Sequence, residues 1–519
     1  MSSSVNFTPY SVSGLVKTPQ ITNINYTNQD FWSMKSRLVD FIKEKFGPTG
    51  TVLPNTFNDF VEGSVAIMLI ENWAFLADTL SFKMDQIVNE LFIDTVSEPD
   101  NAFRLARLVG FEPQPPIGST SLWTGTLNAA YTTDIIIPTP VQVDVTIGST
   151  PITIELFPAN SNNEPMFDTD IIIPAGSRVN SSIIGLEGRT YVAAFTGSGD
   201  ISQTLTLPLY PVLYESIQVQ LNGQIWTRVD SFTDSQPRTE YRVEFDSAYR
   251  AYIIFGNNRA GLIPPLGSAI QIRYRVGGGT IGNIVTGYVE TQKLGSTVGV
   301  IPGIPVAFRN YTRGKNGYNG DTIDDVRRKL PLWVKTQDRA VSGQDYKVLV
   351  DQFVTPYHGM IGKSTALLRN YGCSGNVIDV YILARDGQGL VKASDELKED
   401  LRKELEQKKM LTDYVCIRDG FIIYADVTME LTLDRSYRKF ETEIRENVAQ
   451  RMNNFFSLNN WEYGKTLKDT DLIKEISDLK QISDFHTVFK TSDQQGATIT
   501  TKLNEILRPG TISISMIYD

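Results

Sequence analysis

At 519 residues the chain is too long for one ordinary core, and a typical domain of about 150 residues predicts three or four domains. Hydrophobic content of 41% with 10% aromatic residues excludes global disorder. A net charge of −10 with dispersed basic residues excludes a nucleic-acid binder, because phosphate affinity needs clustered Lys and Arg.

Residues 1–29 combine Ser, Thr, Asn and Pro without periodicity and read as an extended arm, with no secretory leader. Residues 30–115 read as a helical association domain. Its first helix covers about Asp30–Phe46, stopped by Gly47-Pro48. A long apolar helix follows, beginning near Ser64. Glu71, Asp78, Lys83 and Asp85 interrupt it, which speaks against a membrane span. Ala66, Leu69, Ile70, Trp73, Ala77, Leu80, Met84, Ile87 and Leu91 recur at helical steps and are expected to form a core stripe. Met68, Phe75 and Phe82, spaced by seven, project from the opposite face. Two opposed apolar faces need two covers. Either a helix of the same domain supplies the second, or another chain does. Met68, Trp73, Phe75 and Phe82 are the candidate interface. A third helix is expected from an N-cap at Ser97, with Pro99 in its first turn, to Gly110.

From 116 to 300 the period changes to two, as in Ser216–Val229 and Ser268–Gly278, and Asn222-Gly223 signals a hairpin. This is a β-rich domain, with 130–165 expected as an insertion loop or extra hairpin. Residues 301–356 read as a helical linker. Thr322 with Asp325 and Ser342 with Asp345 have capping-box spacing, and Pro331 interrupts the first helix. Gly317, Gly320, Pro331 and Gly343 are candidate hinge positions. The basic cluster Arg327–Lys329 follows Asp324 and Asp325 and reads as a helix surface. Residues 357–519 alternate strand and helix, with strands at Asn376–Ala384 and Phe421–Leu433 and helices over 394–409 and 437–456. Antiparallel β–α units of this kind predict a ferredoxin-like α+β layer, once or twice. The fold class is multidomain α+β.

No set of residues amounts to an active site. His358 and His486 lack a nucleophile and an orienting partner in any recognisable pattern. The Glu462–Thr466 stretch has Asn459 where a phosphate-binding loop needs glycine, and reads as a turn before a helix near Lys468. Gly277–Asn283 is glycine-rich but is not followed by a helix. The pairs Asp324–Asp325 and Glu399–Asp400 read as solvated faces. Cys373 and Cys416 cannot form a disulfide framework or a thiolate zinc site, and both are expected to be small buried residues in a reducing compartment. No catalytic, cofactor-binding or metal-binding residue is predicted, and no small-molecule substrate.

Four segments, in order, resemble the baseplate J-like family, the wedge proteins of contractile phage tails, and within it the large wedge proteins of T4-type phages. They are Glu90–Pro113, with a Thr-Val-Ser-Glu break before a short helix; Ile171–Val179, "IIIPAGSRV"; Tyr252–Ile284; and Gly317–Val350, with its Arg-Ala-Val turn and Asp-Tyr helix start. Residues 130–165 have no clear counterpart there, and the chain is shorter at its carboxyl end than the T4-type proteins.

The resemblance implies a structural role: a homodimer that joins other wedge proteins through a helical bundle and closes into a ring around the tail hub. It implies as partners a small sheath-initiating wedge protein, a second large wedge subunit and hub proteins. It implies a place in the virion tail baseplate, assembled in the host cytoplasm, and a ring that rearranges on sheath contraction. Two alternatives are an equivalent subunit of a phage-derived injection device, or a receptor-binding tail protein. The latter requires an aromatic groove or paired carboxylates in the β domain.

Overall fold

The computed structural model describes residues 30–61, 63–232, 238–287, 306–370, 376–387, 389–477, 479 and 481–518. The expected arm over 1–29 and Cys373 lie outside these. The chain divides into two compact units, one holding the helical segment through Pro113 with Thr322–Pro331, the other Gln114–Asp321 and Leu332 onward.

The helical unit contains α1 (Phe31–Phe46), α2 (Val65–Asn89) and α3 (Pro99–Leu108). Asp30 caps α1 in a reciprocal box with Ser33, and Gly47 ends it as expected. The start of α3 differs from expectation. Glu98, not Ser97, is its N-cap, and no side chain of that residue bonds the helix. Glu90, at the end of α2, takes the role instead. Its carboxylate accepts from Ser97 N–H at 2.9 Å, Glu98 N–H at 3.3 Å and Asn101 Nδ2 at 3.0 Å, which places a negative charge at the positive helix end. At the other end Phe111 N–H donates to Ala106 and Gly110 N–H to Arg107, a Schellman closure that needs the left-handed backbone of Gly110, φ +79°.

The second unit begins with β structure. One sheet has the order β15 (Val306–Asn310), β1 (Thr120–Leu127), β6 (Val179–Glu187), β4 (Thr150–Pro158), β3 (Val141–Ile147). The expected insertion is therefore the β3–β4 hairpin, an integral pair of this sheet. Val141, Val143 and Val145 alternate into the same core as Ile152, Ile154 and Trp123. The short pair β2 (Ile135–Ile137) and β5 (Ile171–Ile173) adds to that core. A second sheet runs β10 (Gln224–Ile225), β9 (Gln218–Leu221), β14 (Ala269–Val276), β7 (Arg189–Thr196). A third runs β11 (Thr227–Arg228), β12 (Glu240–Phe245), β13 (Ala251–Phe255), β8 (Thr204–Thr206). Asn222 and Gly223 both have positive φ, 48° and 88°, and join β9 to β10 as the hairpin signal requires.

Helix α4 (Ile323–Thr336) and α5 (Gly343–Asp351) follow, each opened by the expected box, Thr322 with Asp325 and Ser342 with Asp345. Pro331 lies inside α4, and the division between the units falls directly after it. The region read as a helical linker also contains strand β15, which pairs with β1.

Two α+β layers complete the chain. The first has β16 (Val354–Thr355), β17 (Gly359–Asn370), β18 (Asn376–Asp386), β19 (Gly389–Val391) and β20 (Asp413–Asp419), with α5 and α6 (Asp395–Lys408) packed on it through Tyr346, Val350, Leu397 and Leu401. The second has β24 (Gln495–Gly496), β23 (Ile482–Lys490), β21 (Phe421–Leu433) and β26 (Glu505–Tyr518), with α7 (Glu441–Phe455) and α8 (Asp469–Ile476). A small pair, β22 (Leu467–Lys468) and β25 (Thr498–Ile499), sits beside α8. Pairing is not purely antiparallel: β20 runs parallel to β18, and β26 to β21. Between β18 and β20 the chain passes through β19 and α6, and between β21 and β26 it passes through α7, α8 and the antiparallel β23. Cys416, expected to be buried, is half-exposed, because β20 is an edge strand.

Candidate association surfaces

Helix α2 starts at Ser64, whose Oγ accepts from Ile67 N–H at 3.2 Å. It runs for 25 residues, about 38 Å. Its buried face consists of Ile67, Ile70, Ala74 and Ser81, and Lys35 of α1 reaches Glu71 at 2.7 Å. The expected core stripe is therefore largely wrong. Ile70 is buried, but Leu69, Trp73, Leu80, Met84 and Ile87 are exposed. The physical reason is that α2 is apolar nearly all round, so periodicity cannot say which side meets α1. The side that is buried carries Ile67, Ile70, Ala74 and Ser81, and most of the large apolar side chains of the helix are left outside.

The candidate interface residues are all uncovered: Met68 is 52% exposed, Trp73 65%, Phe75 66% and Phe82 66%. With Leu76 and Phe92 they give α2 and the turn after it apolar surface on more than one side. Monomeric soluble proteins rarely expose a contiguous apolar patch above about 300–600 Å². By length and composition α2 could also cross a membrane. Asp78, near its middle, would then cost about 2.5–3.5 kcal/mol at the bilayer centre.

Of the candidate hinge residues, Gly317 and Gly320 are closely packed. A Cβ on Gly317 would lie 2.4 Å from the carbonyl oxygen of Gly279, and one on Gly320 would meet the Tyr249 ring at 2.6 Å. Gly343 is the first residue of α5. The glycine-rich Gly277–Asn283 stretch ends in a 3-10 turn, Thr280–Gly282, and Gly278 N–H donates to Glu187 at 3.0 Å.

The histidine reading missed one contact. His358 Nδ1 lies 2.7 Å from Asp400, and its Nε2 lies 3.0 Å from the Asn162 carbonyl oxygen. Asp400 is thus a partner and not merely a solvated carboxylate. No nucleophilic side chain bonds this ring among the described residues. Sequence reasoning also missed a cleft of about 620 Å³ in the β region, lined by Phe157, Phe167, Tyr214, Tyr357 and Arg273. Arg273 stacks over Phe167 and bridges to Asp168 at 3.2 Å. Among the described residues no group of three His, Cys, Asp or Glu side chains could hold a metal ion.

Residues 33–108 match the family described as "Bacteriophage baseplate protein, N-terminal domain", a span that contains α2 and α3. No curated protein matches the chain. Among solved structures, a chain of the anti-feeding prophage baseplate aligns over 86% of both chains at 11% identity, with a TM-score of 0.37. A chain of a type VI secretion system baseplate subcomplex aligns over 68% of this chain and 96% of that one at 10% identity, with a TM-score of 0.22. Neither superposes closely enough to assign a fold or a role.

Proposed function

We propose that this chain is a structural wedge subunit of a contractile phage-tail baseplate. It dimerises, joins other dimers in a ring around the hub, and transforms no substrate. One observation carries the reading: the segment that matches a baseplate N-terminal domain also holds a long helix with its largest apolar side chains exposed. Burying such a side chain gains roughly 1.5–3 kcal/mol, so the uncovered face favours association. A helix bundle with other wedge chains covers it better than lipid does, given the charges along α2.

A ring of identical chains needs two distinct contact patches. The α2 face is one, and the α+β layers supply the other. The partners are other wedge proteins, the sheath-initiating wedge protein and hub proteins, in the virion tail after assembly in the host cytoplasm. Gly317, Gly320, Pro331 and Gly343 mark the segment that adjusts when the ring rearranges. An equivalent subunit in a phage-derived injection device uses the same surfaces.

The test is multi-angle light scattering of the pure protein and of its Phe75→Asp and Phe82→Asp variants, alone and with partner chains. Wild type is expected to associate and the variants to lose that association. A strict monomer at high concentration, unchanged by partners, refutes the assignment. The aromatic cleft favours a second reading, a receptor-binding tail protein. Binding on a glycan array that Phe167→Ala abolishes would establish it.

A further inference from the structure

Among the described residues β26 is the longest strand at the edge of a sheet, with 14 residues from Glu505 to Tyr518. It pairs with β21 on one side, and among the described residues no strand pairs with its other side. An open edge presents a row of backbone N–H and C=O groups that templates pairing with another strand. Proteins usually blunt such edges with short strands or charged residues. The other terminal strands here follow that rule. β8, β10, β11, β16 and β24 have two or three residues. β3 carries Asp144, β7 Arg189, β15 Arg309, and β20 Asp413, Arg418 and Asp419. β26 has Glu505 and Arg508 at its start and a bulge between Pro509 and Ile512, but its last seven residues, Ile512 to Tyr518, carry no charge, proline or bulge.

We propose that β26 pairs edge to edge with β26 of a second copy of this chain, antiparallel about a two-fold axis, so that one sheet continues through both molecules. This rests on the reading of the chain as an assembly subunit, and it names the second contact patch that reading needs.

The strand's pattern suits itself as a partner. Ile512, Ile514, Met516 and Tyr518 pack toward the layer's core, while Ser513, Ser515 and Ile517 are exposed on the other face. A two-fold axis normal to the sheet keeps each face on its own side, because residues directly opposite share a face. Pairing centred on Ser515 sets Ile514 against Met516 and Ile512 against Tyr518. On the other face it sets Ser515 against its own counterpart and Ser513 against Ile517. Self-pairing brings like groups together, so a charge here would meet a charge of its own sign. A chain of net charge −10 that keeps Ile512–Tyr518 of this edge uncharged is compatible with a second copy. A strand pair is a small interface, below about 1,200 Å², so it is weak alone and acts beside another contact.

The experiment is sedimentation velocity of the full chain over a concentration series, for wild type, Phe75→Asp/Phe82→Asp, Ser513→Asp/Ile517→Asp and all four changes together. Ser513 and Ile517 are exposed, and circular dichroism checks that the fold is kept. The strand variant is expected to self-associate at least tenfold more weakly in the Phe75→Asp/Phe82→Asp background. In wild type, hydrogen exchange of amides within 511–518 should slow as concentration rises. Unchanged association together with concentration-independent exchange overturns the strand pairing and leaves the α2 reading standing. In the Phe75→Asp/Phe82→Asp background, an open-ended ladder of species in place of a dimer also overturns the two-fold pairing. Loss of association only in the strand variant, with the α2 variant unaffected even with partner chains, leaves the pairing standing and refutes the α2 interface.

Discussion

Glu462 Oε2 lies 3.0 Å from the Nζ of Lys347. The contact joins the loop after α7 to helix α5 of the other α+β layer. Its second oxygen meets Lys363 of β17 at 2.5 Å, and Lys347 also meets Asp351 at 2.7 Å. Burial alone would raise the Glu462 carboxyl, but Lys347 and Lys363 outweigh it and hold the group down to about 2. Burial would lower Lys347, but Asp351 and Glu462 reverse this and hold it up. Lys363, with fewer carboxylates and the Lys347 charge beside it, is pushed down chiefly by burial. Glu462→Gln leaves two buried ammonium groups short of a counter-charge and should cost about 3–5 kcal/mol in urea unfolding. The group's folded value lies below its ordinary 4.5, so its stabilisation is present above that pH and is lost as pH falls through about 2. A variant as stable as wild type at neutral pH would show that the two layers do not depend on this cluster.

The exposed face of α2 predicts an unusual stability profile. Trp73→Ala and Phe82→Ala remove large apolar side chains, yet neither is in the core of the isolated chain. At protein concentrations low enough to suppress association they should change unfolding free energy by no more than about 0.5 kcal/mol. Ile70→Ala, on the buried face, should cost about 2–4 kcal/mol. Chemical denaturation of the three variants checks this. A large loss for Phe82→Ala at high dilution would mean that the chain itself covers this face.

Gly185 and Trp123 fit against each other across β6 and β1. A Cβ on Gly185 would lie 2.2 Å from the indole Nε1, which donates to Ser121 Oγ at 2.8 Å. Trp123 is fully buried in the core shared with the β3–β4 hairpin. Gly185→Ala must displace the indole and break that bond, which should cost about 1–3 kcal/mol by overpacking. Near-ultraviolet dichroism should change with it. A neutral effect on both would mean that the core yields more easily than this packing implies.

Local signals with strong physical causes were legible in the sequence. The capping pairs at Thr322 and Ser342, the Asn222-Gly223 turn and the long alternation Phe421–Leu433 each fix backbone geometry within a few residues. The orientation of α2 was not legible, because a helix apolar on most sides has no periodic preference for one neighbour. Residues 130–165 looked like an insertion because Pro and Asn break the alternation, while the long-range pairing of β4 with β6 leaves no mark in either segment alone. The Glu462 cluster was invisible for the same reason. Glu462 lies about a hundred residues from Lys347 and Lys363 in the chain, and only the fold brings them together.

Glu187 should make stability fall as pH rises, in a window distinct from that of Glu462. Its side chain is buried, and Gly278 N–H donates to Oε1 at 3.0 Å. The nearby Arg275 is committed elsewhere. Its Nη2 donates to the carbonyl oxygens of Leu186 and Gly188, and its Nε faces Glu155 at 3.5 Å. Burial therefore dominates and lifts the Glu187 carboxyl to about 7, with Gly278 and Arg275 opposing only in part. The folded chain then binds this proton more tightly than the unfolded chain, whose group titrates near 4.5. Its contribution is fully present below about 4.5 and is lost as pH rises through about 7, at most about 3 kcal/mol in all. Glu187→Gln, uncharged at every pH, should flatten the slope between pH 5 and 8 and be the more stable form at pH 8. Urea midpoints for wild type and variant across that range decide the matter. A slope that persists unchanged in the variant would place its origin in another group.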